Sequence, residues 1–236
     1  MFCIKCGTSL PDDANFCFKC GCDLRNLSQS AGTEFPAVRA GDYVKFGSYP
    51  QNNDDDIEEP IVWLILDVNG NKALLISRYG IDCKKYHHEC KDMTWENCDL
   101  RKWLNGEFFR NAFTVAEQKK IAVTNLANDN NAKYGTFGGN STEDWVFCLS
   151  FAETMSLFKD NVARKSVPTL YAVGKGAWQN SSELKDGRAC CFWWLRSSGI
   201  NQHFASYVDV DGTIYLRGCP FHSRFVAVRP ALWVNL

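Results

Sequence analysis

Two cysteine pairs open the chain, Cys3-Ile4-Lys5-Cys6-Gly7 and Cys17-Phe18-Lys19-Cys20-Gly21, ten residues apart. A CxxC turn is tight enough to aim two sulfurs at one point, and the Gly after it permits the left-handed backbone that follows. Four thiolates so placed make a closed tetrahedral site, which suits zinc in a structural role. Cys3, Cys6, Cys17 and Cys20 are therefore the expected ligands of one structural zinc ion, with four-thiolate iron as the alternative and Cys22 as a bystander. A segment this short cannot build a core. Metal ligation would supply most of its folding free energy, about 10–16 kcal/mol in zinc-finger peptides.

Other residues with chemical potential are less clearly arranged. His87-His88-Glu89, with Cys83 and Cys90 nearby, is read as a polar loop rather than a second zinc site, because neighbouring side chains on an extended chain face opposite ways. Cys190-Cys191 is read as a pair of buried or alternative thiols, since adjacent cysteines do not readily point at one substrate. No Ser or Asp around His203 and His222 singles out a triad, and the chain has no Walker loop, Rossmann glycine pattern or carboxylate dyad. Asp54 to Glu59 carries five carboxylates in six positions but lacks the spaced ligands and turn Gly of a calcium loop; it reads as a solvated loop.

The last fifth of the chain holds the candidate working surface. Phe192-Trp193-Trp194-Leu195-Arg196-Ser197 and Ala227 to Trp233 alternate bulky apolar residues with Arg, which suits half-buried strands. Between them Tyr207-Val208-Asp209-Val210 and Thr213-Ile214-Tyr215-Leu216 flank Asp211-Gly212, a pair able to make a tight two-residue turn. Trp193, Leu195, Val228 and Trp233 are expected to point inward. The flanking loops hold His203, Arg217, Phe221, His222 and Arg224 with little periodicity, and mixed aromatic, His and Arg groups on a rigid support are types that carry binding energy. These five are the candidate ligand-binding residues; no catalytic residue is assigned.

The elements that must position these groups follow from local signals. Asn26 to Ala40 is rich in Ser, Gln, Gly, Thr and Pro without periodicity and reads as a linker, dividing the chain into residues 1–25, 26–40 and 41–236. Tyr43 to Phe46 reads as a strand, and Ile61 to Val68 pairs with Lys72 to Ser77 across Asn69-Gly70. Thr94 is the expected cap of a helix ended by Asn105-Gly106, and Thr114 with Glu117 and Ser150 with Glu153 fit the capping box. Asn125 to Asp144 reads as a long loop, Trp145 to Leu149 as a buried strand and Asn161 to Gly187 as mostly irregular. The fold class is α+β: hairpins alternating with short helices behind a small metal-bound segment.

With 236 residues the chain has room for one sizeable domain and a small appendage. The net charge of −1, with both signs interspersed, leaves no field to steer it to nucleic acid or anionic lipid. Apolar runs such as Ile61 to Val68 are too short to cross a bilayer, and the first residues lack a basic region followed by an apolar stretch. Of 12 cysteines, the eight outside the CxxC pairs show no regular spacing, so the expectation is a soluble cytoplasmic protein with reduced thiols.

Residues 1–24 resemble the short zinc ribbons found at the front of many bacterial proteins, in the order Met-x-Cys-x-x-Cys-Gly then Leu-Pro-Asp-Asp-Ala-x-Phe-Cys-x-x-Cys-Gly. The resemblance implies an adaptor or structural cap and does not imply DNA binding. From Gly41 onward, Thr94-Trp95-Glu96-Asn97, Leu100 to Asn105, Val146 to Ser150, Trp193 to Ser197 and Val228-Arg229-Pro230-Ala231-Leu232 look like an uncharacterised bacterial family, a domain of unknown function often joined to such a ribbon. The late Trp-rich and Arg-Pro strands are similar to those of the C-type-lectin-like fold of formylglycine-generating enzymes and of the variable proteins of diversity-generating retroelements. That similarity implies a mixed scaffold displaying its last hairpin and loops to a ligand. The expectation is a non-catalytic binding or display domain for a protein, peptide or glycan. The alternatives are an oxidoreductase like the formylglycine-generating enzymes, or another enzyme using the late Cys and His residues, and a purely structural protein of a phage or host complex.

Overall fold

A computed structural model describes residues 8, 11, 16, 17, 19, 20, 38–52, 58–89 and 91–236. Cys3, Cys6, Cys22 and Cys90, the linker as far as residue 37 and residues 53–57 of the acidic run lie outside the described residues. The architecture is mixed α+β, mostly strands with a few short helices.

Strands β1 (Tyr43–Pro50), β2 (Glu58–Asn69) and β3 (Lys72–Ser77) form an antiparallel meander. Along β2 the side chains of Ile61, Trp63 and Ile65 are buried and those between them are partly exposed, the period of two a pleated strand imposes. Asn69 pairs with Lys72, so the turn is Gly70-Asn71, one position beyond the expected pair. Gly70 adopts φ +59°, which Gly takes without steric cost.

After β4 (Asp82–Cys83) comes the helical segment. It departs from expectation at both ends. Thr94 precedes a 3-10 turn at Trp95–Asn97 and makes no side-chain cap; α1 (Asp99–Trp103) is capped by Cys98, whose Sγ accepts from the Arg101 amide at 3.4 Å. Asn105-Gly106 does not end the helix, which runs on as a π turn at Leu104–Phe108 and α2 (Phe109–Ala112). The Asn105 side chain instead clamps neighbouring backbone. Its Nδ2 donates to the carbonyls of Arg101 and Val146 at 3.1 and 2.9 Å, and its Oδ1 accepts from the amides of Trp145 and Val146 at 2.8 and 3.2 Å. Helix α3 (Val115–Gln118) starts with the expected Thr114–Glu117 capping box.

Strand β5 (Ile121–Ala122) is followed by β6 (Thr124–Leu126) and β7 (Thr142–Asp144), which pair and close the long loop between them. Residues 145–149 are largely buried but are not the strand expected; Phe147 alone forms a bridge, to Ala231. Helix α4 (Phe151–Leu157) carries the Ser150–Glu153 capping box. The stretch read as irregular holds α5 (Asn161–Arg164), α6 (Leu170–Gly174) and most of a hairpin of β8 (Gln179–Lys185) and β9 (Arg188–Cys191). Its turn, Asp186-Gly187, has φ of 52° and 76°, the two positive values a type I′ turn requires.

The chain ends with β10 (Trp193–Ser198), β11 (Phe204–Val208), β12 (Ile214–Pro220), β13 (Ala227–Val228) and β14 (Ala231–Asn235). Two five-stranded sheets result, ordered β1-β2-β3-β14-β5 and β12-β11-β10-β13-β4, with β10 and β13 the parallel pair. Residues of both sheets and of the helical segment share one core, including Trp63, Trp95, Trp193, Trp194, Phe108 and Phe147. Trp193 to Arg196 are all buried, so β10 is a central strand covered on both sides and not the alternating strand expected; Trp233 is only partly buried. Each of the four buried indole N–H groups has a partner: Trp63 donates to Phe46 O, Trp95 to Asp144, Trp193 to Arg164 O and Trp194 to Lys84 O.

The last hairpin also differs. Val208 pairs with Ile214, leaving five residues, 209–213, in the loop in place of a two-residue turn. Gly212, at φ +85°, lies so close to α5 that a Cβ there would fall 1.7 Å from Asn161 O, while its own carbonyl accepts from Arg164 Nε at 2.9 Å. Gly70 has open space around it. Gly212→Ala is therefore expected to destabilise the protein by about 2–4 kcal/mol, through backbone strain plus overpacking. Gly70→Ala should lose only about 1–2 kcal/mol, the left-handed penalty alone. Urea unfolding of the two variants measures the difference.

Candidate functional site

One of the five candidate binding residues is not on the surface. Phe221 is buried at 1% exposure and stacks on Tyr86 at 4.9 Å with the rings 16° apart, so it belongs to the core; apolar area and a flat partner ring outweigh its position in a loop. His222 and Arg224, one and three residues further on, are exposed. His203 is half-buried and pairs with Asp92 at 3.3 Å, and its carbonyl accepts from the Phe221 amide at 3.0 Å. Arg217 sits on β12 two residues after Tyr215, both exposed on one side of the strand.

Around that side the structure assembles a strip of rings. Trp178 stacks on Phe192 at 5.1 Å, Phe192 meets Phe225 at 5.8 Å and Tyr207 at 5.5 Å edge-on, and Tyr207 lies 5.4 Å from Tyr215. Trp178, Tyr215 and Phe225 are 46, 45 and 41% exposed. Three elements position the strip: the β11–β12 register places Tyr207 opposite Tyr215, the residue before β10 supplies Phe192, and the Trp178 amide donates to Phe225 O at 3.0 Å. Of these residues only Tyr207 and Tyr215 belong to the expected hairpin. Trp178 and Phe225 give no periodic signal, because the chain around each is irregular.

His87 and His88 do not diverge as on an extended chain. The backbone bends from Lys84 to Glu89, and the ring centroids lie 4.7 Å apart. Asp99, the first residue of α1, completes the group: its Oδ2 lies 3.0 Å from His87 Nδ1 and 2.5 Å from His88 Nδ1, and accepts the His88 amide at 2.9 Å. Cys83 is not part of it; its thiol faces the carbonyls of Arg224 and Val226, and burial pushes its pKa up to about 12. Burial lowers the His87 pKa, whereas the hydrogen bond to Asp99 raises that of His88. Among the described residues this is the one cluster of three or more His, Cys, Asp or Glu side chains with metal-ligand spacing. Cys190, Cys191, His203 and His222 do not gather into another. Both cysteines are fully buried, and burial raises both thiol pKa values, the reverse of what a nucleophilic thiol needs.

A zinc-ribbon domain model matches residues 2–24, and the model described as Domain of unknown function (DUF6273) matches residues 70–236, more than half of the chain. The chain belongs to the DUF6273 family. No curated protein and no solved structure matches it. Residues 43–50 and 58–69, ahead of the matched span, supply β1 and β2 of the first sheet, whose other three strands lie within that span. Several residues of the segments that carry the resemblance, Trp95, Arg101 and Asn105 among them, are internal ties. Asp144, itself buried, accepts from Trp95 Nε1 at 2.9 Å, Arg101 Nε at 2.6 Å and Thr142 Oγ1 at 2.9 Å. Among the described residues no helix is long and apolar enough to cross a membrane.

Phe221→Ala is expected to cost about 3–5 kcal/mol of stability, as large core truncations do. Arg224→Ala, at an exposed position, should stay within about 0.5 kcal/mol. Parallel thermal melts of the two variants check this contrast.

Proposed function

We propose that the DUF6273 domain is a non-catalytic binding module whose working face is the ring strip of Trp178, Phe192, Tyr207, Tyr215 and Phe225, flanked by Arg217 and Arg224, and whose ligand is a peptide or protein segment. The carrying observation is that three of these rings are more than 40% exposed while each touches another ring of the strip. Trp, Tyr and Arg dominate binding hot spots, and rings already held by neighbours lose little entropy when a partner covers them. The two Arg residues favour a segment carrying carboxylates beside apolar side chains.

The scaffold is read as C-type-lectin-like in plan, with its last hairpin and nearby loops as the display face; the support is that Tyr207 and Tyr215 lie on β11 and β12. The ribbon is read as an adaptor closed by one structural zinc on Cys3, Cys6, Cys17 and Cys20, a reading supported by the zinc-ribbon match. A reducing, cytoplasmic setting fits the free thiols at Cys83, Cys98, Cys148, Cys190, Cys191 and Cys219.

Panning the full chain against a displayed peptide library tests the binding face. Selected peptides are expected to bind Tyr215→Ala and Phe225→Ala at least about 30-fold more weakly, the loss of one hot-spot residue. Melting temperatures should remain within about 4 °C. Binding unaffected by both substitutions, or selection of glycans from an array with no peptide enriched, overturns the reading.

A further inference from the structure

We propose that His87, His88 and Asp99 bind a divalent transition-metal ion of the zinc class, at a site separate from the amino-terminal ribbon. The three residues offer ligand atoms that all lie within 4.8 Å of one another. A buried histidine, an exposed one and a carboxylate at the start of a helix form a mixed nitrogen and oxygen donor set, which suits zinc and its first-row neighbours better than calcium or magnesium.

His87 is the informative residue. Its ring is buried at 2% exposure, and neither ring nitrogen has a hydrogen-bond partner. Nδ1 nevertheless stands 3.0 Å from Asp99 Oδ2, so the ring is turned off the line along which it would donate to that carboxylate. Bonds from zinc to histidine nitrogen and carboxylate oxygen are each about 2.0–2.2 Å. Two such bonds cannot lie end to end across the observed gap. An ion shared by both atoms must sit to one side of the line, and a lone pair aimed off that line is what it requires.

His88 supplies the second nitrogen and an orienting contact. Its Nδ1 faces the same Asp99 oxygen at 2.5 Å, while its Nε2 faces Glu89 Oε1 at 3.2 Å. A carboxylate behind a ligating histidine fixes the tautomer that leaves the other nitrogen free for the metal. Ligand atoms around a tetrahedral ion stand roughly 3.3 Å apart, against separations here of 2.5 Å and 3.0 Å to Asp99 and at most 4.8 Å across the group, so closing on the metal asks for a shift of up to about 1.5 Å. His88, exposed, can make it. The remaining parts are held: the amides of Tyr86 and His87 both donate to Phe221 O, at 2.9 and 3.2 Å, and the Leu100 amide donates to Tyr86 O at 3.1 Å. Three protein donors leave one position of a tetrahedral ion for water or an outside ligand, which a closed four-thiolate site does not.

The test counts metal in the full chain. Wild type, His88→Gln, Asp99→Asn and Cys17→Ser are loaded with Zn2+, dialysed into metal-free buffer and analysed by plasma mass spectrometry, with thermal melts to check folding. Wild type is expected to hold two ions and His88→Gln and Asp99→Asn one each. Cys17→Ser should lose the ribbon ion and keep the other. Loaded with Co2+, that variant should show visible d–d absorption without the thiolate charge-transfer band. His88 is exposed and Asn at 99 can still accept its amide, so both variants should fold. An ion count that fails to fall in His88→Gln or in Asp99→Asn, or a folded Cys17→Ser that holds no ion, overturns the proposal.

Discussion

The DUF6273 domain depends on a guanidinium inside it. Arg196, on the central strand β10, is buried at 4% exposure and holds Glu153 through both of its terminal nitrogens. The same side chain donates to the carbonyls of Cys148 and Ala127 at 3.1 Å each and to Asn128 Oδ1 at 3.2 Å. Irregular chain cannot satisfy its own backbone carbonyls, and one planar group with five donors serves two such segments at once. Glu153 in turn closes the capping box of α4, accepting the Ser150 amide at 2.8 Å. Strand, helix start and loops are fixed by one ion pair.

Arg229 repeats the device without a carboxylate. It donates to Ser77 O at 2.8 Å and Arg164 O at 3.3 Å and lies over the rings of Trp193 and Phe158. Burial lowers its pKa to about 10, which still leaves it charged at neutral pH. Arg196 and Arg229, like Arg101 and Asn105, lie in the segments that carry the family resemblance. Their partners are inside the domain. They explain the fold, and the two proposed sites, the ring strip and the His87 bend, use side chains outside those ties.

What can be read from sequence is what depends on neighbours a few residues away. The β2–β3 hairpin and the two capping boxes are local devices, and each forms within a residue of its expected place. The hairpin at Asp186-Gly187 is equally local but lies in a stretch whose composition reads as irregular. Features set by distant partners are hidden. Asn105 looks like a helix stop and instead clamps Trp145 and Val146; Phe221 looks like a loop residue and instead covers Tyr86. His87 and His88 would diverge on an extended backbone, and the bend that brings them together is imposed by Phe221 O and Asp99, both distant in sequence. Alternation likewise misleads on β10, since nothing local says that a strand is covered on both faces.

If the Arg196–Glu153 pair holds the scaffold together, a double-mutant cycle will show it. Arg196→Met, Glu153→Gln and the combined variant are unfolded in urea. Removing Arg196 alone should cost about 3–5 kcal/mol, because it leaves the carboxylate and several carbonyls without their partner. The coupling between the two sites should fall at about 1–3 kcal/mol. A coupling under about 0.5 kcal/mol, with each single variant near wild-type stability, would mean that the scaffold does not rest on this pair.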